Sequence, residues 1–425
     1  MRDRDLARAV ETTPRVSTLL DSYGKVRRVT EALCAPLAPD DYTVQSMPDA
    51  SPTKWHLAHT SWFFEEFVLQ HFAPDHRCYD ESWGYLFNSY YEAVGPRIAR
   101  AERGLLSRPT VAQTFAYRAY VDEQMSRLLE RREESEALWR VVTLGLHHEQ
   151  QHQELLLTDI KHAFARNPLH PPYVAPRAAP RRESPTLAFL ELEGGLVEIG
   201  HAGRGFCFDN ELPQHRAWIA PFRIANRLIT NEEFCGFVAS GGYSSPQHWL
   251  SEGWACLERE HWERPLYWGA SLDHEFTLAG VQELDPDAPV CHLSYYEADA
   301  FARWAGARLP SEFEWELAAA ALPVRGNFVE EEHLRPLAPP VSRAPLQQMF
   351  GDAWEWTRSA YAPYPGYAPP EGALGEYNGK FMVSQLVLKG GSCLSPRSHI
   401  RATYRNFFAP GARWQMSGLR LAMDV

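Results

Sequence analysis

The sequence predicts an α+β protein of two domains, a helical bundle followed by a mixed region of short strands, short helices and much irregular chain. Three observations predict it. The first ~165 residues hold long, helix-periodic segments poor in Gly and Pro. Residues 167–185 (NPLHPPYVAPRAAPRRESP) break that pattern with proline. Beyond them, short β-like pieces alternate with Gly, Pro, Asn and Trp. A length of 425 residues accommodates two or three domains.

Taken in order, the first helix is expected around Thr13–Ala35. A second follows Ser51-Pro52, which reads as an N-cap with proline at the first helical position. It carries Trp55, His56, His59, Trp62, Phe63 and Phe67. Arg108-Pro109-Thr110 opens a third, since Thr110 to Arg132 lacks Gly and Pro and spaces Phe115, Val121, Met125 and Leu128 or Leu129 helically. A fourth is expected from about Ser135 to Phe164. Four helices suit a bundle. The boundaries are therefore 1–166 for the helical domain, 167–185 for a linker or surface strap, and 186–425 for the second domain. In the latter, Gly195–Ile199 and Trp218–Ile224 read as strands, and Asn231–Ala239 and Tyr295–Ala305 as short helices. No internal repeat is evident.

The formal net charge of −12 disfavours nucleic acid and anionic membrane, which select basic patches. The N-terminus MRDRDLARAVETTPRV has no apolar core of a signal peptide, and no apolar run reaches a membrane span. Seven cysteines without a C-x-x-C fit neither a disulfide framework nor a thiolate zinc site, so a reducing cytoplasm is expected.

The segment LGLHHEQQHQELLL carries the strongest local signal. His148 and His152, four apart, project from one helix face and can share an ion, whereas His147 points about 100° away. His56 and His59 lie on the second helix. One of these with His148 and His152 makes a three-histidine site, suited to Fe, Cu, Zn or Ni. Glu65, Glu66 or Glu154 would instead complete a two-histidine, one-carboxylate site, or hold an imidazole N–H from behind.

The segments SPTKWHLAHTSWFFEEFVL and HHEQQHQE resemble the iron-binding domain of the ergothioneine-biosynthesis sulfoxide synthases (EgtB), a DinB-like four-helix bundle. The resemblance implies Fe(II) held by His59, His148 and His152, with Glu154 behind them and His56 a neighbour. The segments PFRIANRLITNEEFCGFVASGGY, RLPSEFEWELAAA, GDAWEWT and KGGSCLSPRSHIRATYRNFFAPGARWQMSGLRLA are similar to the formylglycine-generating-enzyme/sulfatase-modifying domain, with a C-type-lectin-like core. Cys393, without a second cysteine nearby, is expected to be a buried structural thiol. Trp354, Trp356, Gly390 and Gly391 are expected to be scaffold.

The reaction implied joins a thiol, cysteine or γ-glutamylcysteine, to imidazole C2 of hercynine with O2, giving the S-oxide. A trimethylammonium group binds aromatic faces. The resemblance assigns the betaine pocket to the loop holding Tyr404, Phe407, Phe408 and Trp414, with Asn406 at its carboxylate and Gln151 orienting the substrate. Tyr91, then Tyr90, is expected to be the proton donor, as in the subgroup that takes free cysteine. Tyr361 and Tyr364 are the alternatives. Arg97 and Arg100 are expected to hold the thiol substrate's carboxylate. Rival readings are a sibling synthase acting on free histidine, as in ovothiol formation, a zinc thiol-dependent hydrolase or transferase on the same bundle, and a non-enzymatic lectin-like binder.

Overall fold

The computed structural model describes residues 16–131, 135–177 and 182–425. Four long helices form the bundle: α1 (Val16–Cys34), α2 (Thr53–Phe64), α3 (Val111–Glu130) and α4 (Glu136–Arg166). Residues 13–15, expected to begin α1, lie outside the described residues, as does Arg132. Thr110 caps α3 reciprocally with Gln113, and the Ser135 hydroxyl accepts from the Leu138 N–H at the start of α4. The expected cap of α2 is corrected. Pro52 is the N-cap, and no side chain caps the helix. Ser51 is engaged elsewhere: its N–H donates to Asp159 (2.8 Å) and its hydroxyl accepts from Arg103 (2.9 Å).

Every residue of α2 is buried, as expected for a helix apolar on most sides and wedged between α3 and α4. It runs on into a wider π-helical turn, Glu65–Leu69. Such turns are rare and concentrate near functional sites.

A buried ionic cluster ties the four helices. Glu149 of α4 accepts from Arg27 of α1 (2.8 Å), Arg118 of α3 (2.6 Å) and the Thr30 hydroxyl (2.6 Å). Arg27 also donates to Asp122 of α3 and Ser61 of α2. Burial by itself would push the Glu149 carboxyl up, but Arg118 and Arg27 outweigh it and hold it at about 2.

The second region contains strands β1 (Phe189–Leu192), β2 (Gly195–Ile199), β3 (His215–Ile219), β4 (Phe222–Ala225), β5 (His274–Thr277), β6 (Gly280–Glu283), β7 (Trp354–Ala360), β8 (Leu386–Lys389), β9 (Asn406–Phe408), β10 (Ser417–Gly418) and β11 (Ala422–Asp424). One sheet runs β10-β7-β8-β9 and another β1-β4-β11, beside the hairpins β2–β3 and β5–β6. The expected strand Trp218–Ile224 is two strands. Pro221 has no N–H for a ladder, so β3 ends before it and pairs with β2, while β4 pairs with β1 and β11. Asn231–Ala239 is helical as expected and Tyr295–Trp304 nearly so. Two further helices, Ser251–Glu260 and Glu312–Ala319, were not expected. The second is signalled by the capping box Ser311-x-x-Glu314.

α4, 31 residues long, serves both regions. Its Glu154 accepts from Trp354 Nε1 (2.8 Å) and from the hydroxyls of Ser392 (2.5 Å) and Ser395 (2.6 Å). Gln150 donates to Ser398, and Lys161 Nζ meets His292 Nε2 at 2.7 Å. Gly390 and Gly391, at φ +100° and +83°, turn the chain from β8 into this contact; a Cβ on Gly390 would sit 2.8 Å from the Met349 carbonyl oxygen. Tyr173, in the proline-rich strap, donates its hydroxyl to Leu33 O of α1 and its N–H to Leu278 O, so this part of the strap is packed on both regions. All seven cysteines are unpaired, and Cys393 is fully buried. No described helix is long and apolar enough to cross a membrane.

Replacing Glu149 with Gln leaves Arg27 and Arg118 buried without their shared counter-charge. The substitution is expected to cost about 3–5 kcal/mol of stability, read as a lower urea midpoint. A midpoint equal to wild type would contradict the clamp.

Candidate metal centre

α2 and α4 face each other with four histidines between them. His59 is fully buried, and His148 and His152 nearly so. One ring nitrogen from each lies within 4.8 Å of the other two, and the His59 and His148 Nε2 atoms are 3.1 Å apart. The Phe87 carbonyl lies 2.6 Å from His59 Nδ1, so the proton sits on Nδ1 and the Nε2 lone pair faces the cluster. Burial, then the neighbouring imidazoles, hold His59 and His152 well below the usual histidine range, and burial brings His148 to about 3. All three are therefore neutral at physiological pH, the form that ligates metals.

The donor set fits a metal ion of the nitrogen-preferring kind. The carboxylate alternatives do not join it. Glu65 accepts from Tyr117 (2.5 Å) and the Tyr79 N–H (2.9 Å), Glu66 from Gln70, and Glu154 is fully engaged by the second domain. The expectation that Glu154 backs an imidazole is thus corrected: it anchors α4 to the β7 and 392–395 segments. His147 points away as expected, stacked on Phe206 and turned to His399.

Aromatic rings wall the site. His59 stacks on Trp55 (4.5 Å) and Trp62 (5.6 Å), and Phe63 lies 4.6 Å from His148. Tyr91 is fully buried against Trp62, Phe67 and Tyr90. Its hydroxyl meets only that of Tyr90, and Trp62 Nε1 and His148 Nδ1 have no hydrogen-bond partner. Orphaned buried polar atoms of this kind are completed by ordered water or by a polar ligand. Burial, then Tyr90 and Tyr377, push the Tyr91 phenol well above its usual value.

The second domain supplies the opposite side. Tyr377 lies edge-on to His148 (5.8 Å), stacks on Phe208 and donates to Gln151 Oε1. Gln151 donates to the Tyr404 hydroxyl (2.7 Å). Tyr377 and Phe208 escaped the sequence reading, because no motif singles out one of eighteen tyrosines within an irregular stretch. Arg103 escaped it too. It is buried over the Trp55 ring (3.3 Å), bonds Ser51 and Ser89, and has no ion pair among the described residues. Burial lowers it to about 8.

The other expected residues divide. Tyr90 packs on Tyr91 and Phe381; burial raises its phenol, and the hydrogen bond with Tyr91 and then the Arg100 charge lower it. Phe407 stacks on Tyr361 (4.0 Å) and meets Phe381 (5.9 Å), one ring further from the histidines. Asn406 holds the N–H of Phe407, and Arg97 pairs with Glu92. Phe408 and Trp414 contact each other rather than the histidine cluster. Tyr361 is tied to Asn210, and Tyr364 lies over Arg405 and Glu312, so neither joins the site.

Residues 22–156 match the DinB superfamily, and residues 175–344 and 338–425 match the sulfatase-modifying factor enzyme 1-like domain. Three proteins named hercynine oxygenase are similar over nearly the whole length. That of Mycolicibacterium thermoresistibile is 32% identical over 416 residues, covering 89% of this chain and 88% of the relative. That of Mycobacterium tuberculosis is 30% identical, covering 89% and 92%, and that of Mycolicibacterium smegmatis 31%, covering 90% and 93%. With both domain types in order and the three-histidine cluster between facing helices, the chain belongs to the hercynine oxygenase family of oxidoreductases.

Proposed function

We propose that this chain binds Fe(II) through His59, His148 and His152 and joins hercynine to a thiol, cysteine in preference to γ-glutamylcysteine, with O2 as oxidant. The observation that carries this reading is three neutral imidazoles converging between two facing helices, walled by aromatic rings that bring in the buried phenols of Tyr91 and Tyr377. Imidazole C2–H and thiol S–H are replaced by a C–S bond, the sulfur gains one oxygen atom, and the second oxygen leaves as water with both hydrogens. The reaction balances with O2 as the sole oxidant. Iron, when bound, supplies the redox chemistry and gathers the reactants.

The chain's residues bind, orient and move protons. Tyr91 holds a phenolic proton at the site, kept there by burial, and Tyr90 beside it is the second candidate. Gln151, fixed between Tyr377 and Tyr404, presents its amide toward substrate. The trimethylammonium group, unable to donate a hydrogen bond, is hosted by aromatic faces of the second domain, with Phe407, Phe408 and Trp414 assigned to that pocket and Asn406 to the betaine carboxylate. Arg97 and Arg100 take the thiol substrate's carboxylate. Seven unpaired cysteines suit a reducing cytoplasm.

Anaerobic loading with Fe(II), followed by O2, hercynine and either thiol, tests the reading by product mass. S-oxide formation with matched O2 uptake is expected, faster with cysteine. Hydrolysis or transfer without O2 uptake would point to the zinc reading and overturn this one. Replacing His59, His148 or His152 with Ala is expected to abolish iron retention, measured by metal analysis of the purified protein, whereas His56→Ala is expected to weaken it without abolishing it. Tyr91→Phe is expected to lower S-oxide formation by about 100-fold or more and to divert O2 toward oxidation of the thiol alone. Unchanged product ratios would move the role to Tyr90 or Tyr377.

A further inference from the structure

The three candidate ligands are backed differently. His59 Nδ1 donates to a neutral carbonyl, that of Phe87. His148 Nδ1 has no partner. His152 Nδ1 lies 2.9 Å from His56 Nδ1, and His56 Nε2 lies 3.1 Å from Asp159 Oδ2. That same Asp159 oxygen accepts the Ser51 N–H at 2.8 Å. His56 and Asp159 are buried, and Asp159 makes no ion pair with lysine or arginine among the described residues. One turn of α2 separates His56 from His59, and two turns of α4 separate Asp159 from His152.

We infer that Asp159 and His56 form a positioning relay that fixes the tautomer and donor strength of His152. The inference rests on His152 being a ligand of the proposed metal. A carboxylate accepts only, so the proton on His56 sits on Nε2, toward Asp159. His56 Nδ1 is then an acceptor, and the proton of His152 must sit on Nδ1. This leaves His152 Nε2 with a free lone pair. The Asp159 charge, carried through His56, makes His152 the most electron-rich of the three imidazoles. A carboxylate behind a ligating histidine usually contacts it directly; here a second imidazole stands between. The Ser51 N–H donates to the carboxylate and keeps it in place.

Three variants test the relay, with Fe(II) affinity measured by chelator competition and the ferric/ferrous midpoint by redox titration. His56→Phe keeps the ring volume and removes the acceptor, and is expected to weaken Fe(II) binding by about 10–100-fold. His56→Asn returns an amide oxygen near the Nδ1 position and is expected to recover most of that loss. Asp159→Asn preserves an oxygen for Ser51 but removes the charge. It is expected to lower the ferric-to-ferrous affinity ratio by about tenfold, a rise of roughly 59 mV in the one-electron midpoint. Apoprotein melting temperatures within a few degrees of wild type distinguish these effects from misfolding, and His56→Asn supplies a second, folded reference. Fe(II) affinity of His56→Phe within twofold of wild type, or an unmoved midpoint in Asp159→Asn, overturns the relay. If His152→Ala itself retains iron, the proposed ligand set fails instead.

Discussion

The whole arrangement depends on a carboxylate that cannot leave. Glu149 is fully buried and shared by Arg27 and Arg118, so removing it from either guanidinium strands a charge in a medium that solvates charge poorly. Side chains on a helix are separated by about 100° per residue, so clamping Glu149 against α1 and α3 sets the rotation of α4 about its axis. His148 and His152, on the neighbouring stripe, are thereby held against α2. Gln153, one turn beyond Glu149, repeats the clamp through Val26 O and Thr30. The cluster therefore acts on orientation more than on net stability, and the metal centre is the beneficiary.

α4 also faces a second domain. Glu154 is buried too but has no ion pair among the described residues; two serine hydroxyls and an indole N–H satisfy it. Burial raises that carboxyl while these donors lower it, and the interface must stay closed for the group to remain satisfied. The contact brings Tyr377, Tyr404 and Phe208 to the side of the histidines that the bundle leaves open. Glu376 completes the junction, accepting the N–H groups of Glu92 and Ala93 next to the Tyr90–Tyr91 pair. The helical and lectin-like halves thus build one site.

Burial performs two tasks at the centre. It keeps the imidazoles neutral, because charging any one of them beside the others in a dry site is unfavourable. It also keeps the phenols of Tyr90, Tyr91 and Tyr377 protonated. The same dry surroundings strengthen every polar contact that reaches the site, including the path from Asp159 through His56.

The sequence by itself determined the two-domain α+β architecture, the four bundle helices and the histidine set, because these are written in local spacing: a 3.6-residue period, capping residues at Thr110 and Ser135, and His148 and His152 one turn apart. It misjudged elements whose limits depend on partners, such as the strand broken at Pro221 and the N-terminus of α2, where Ser51 serves Asp159 instead of its own helix. Spacing alone left open which of His56 and His59 faces the centre, and the resemblance of the surrounding motif singled out His59. Tertiary structure turned Glu154 outward to the second domain, put Asp159 and His56 behind His152, and delivered Tyr377 from more than two hundred residues away. Those outcomes depend on the packing of α4 against two domains at once, an interaction between distant parts of the chain that no local pattern encodes.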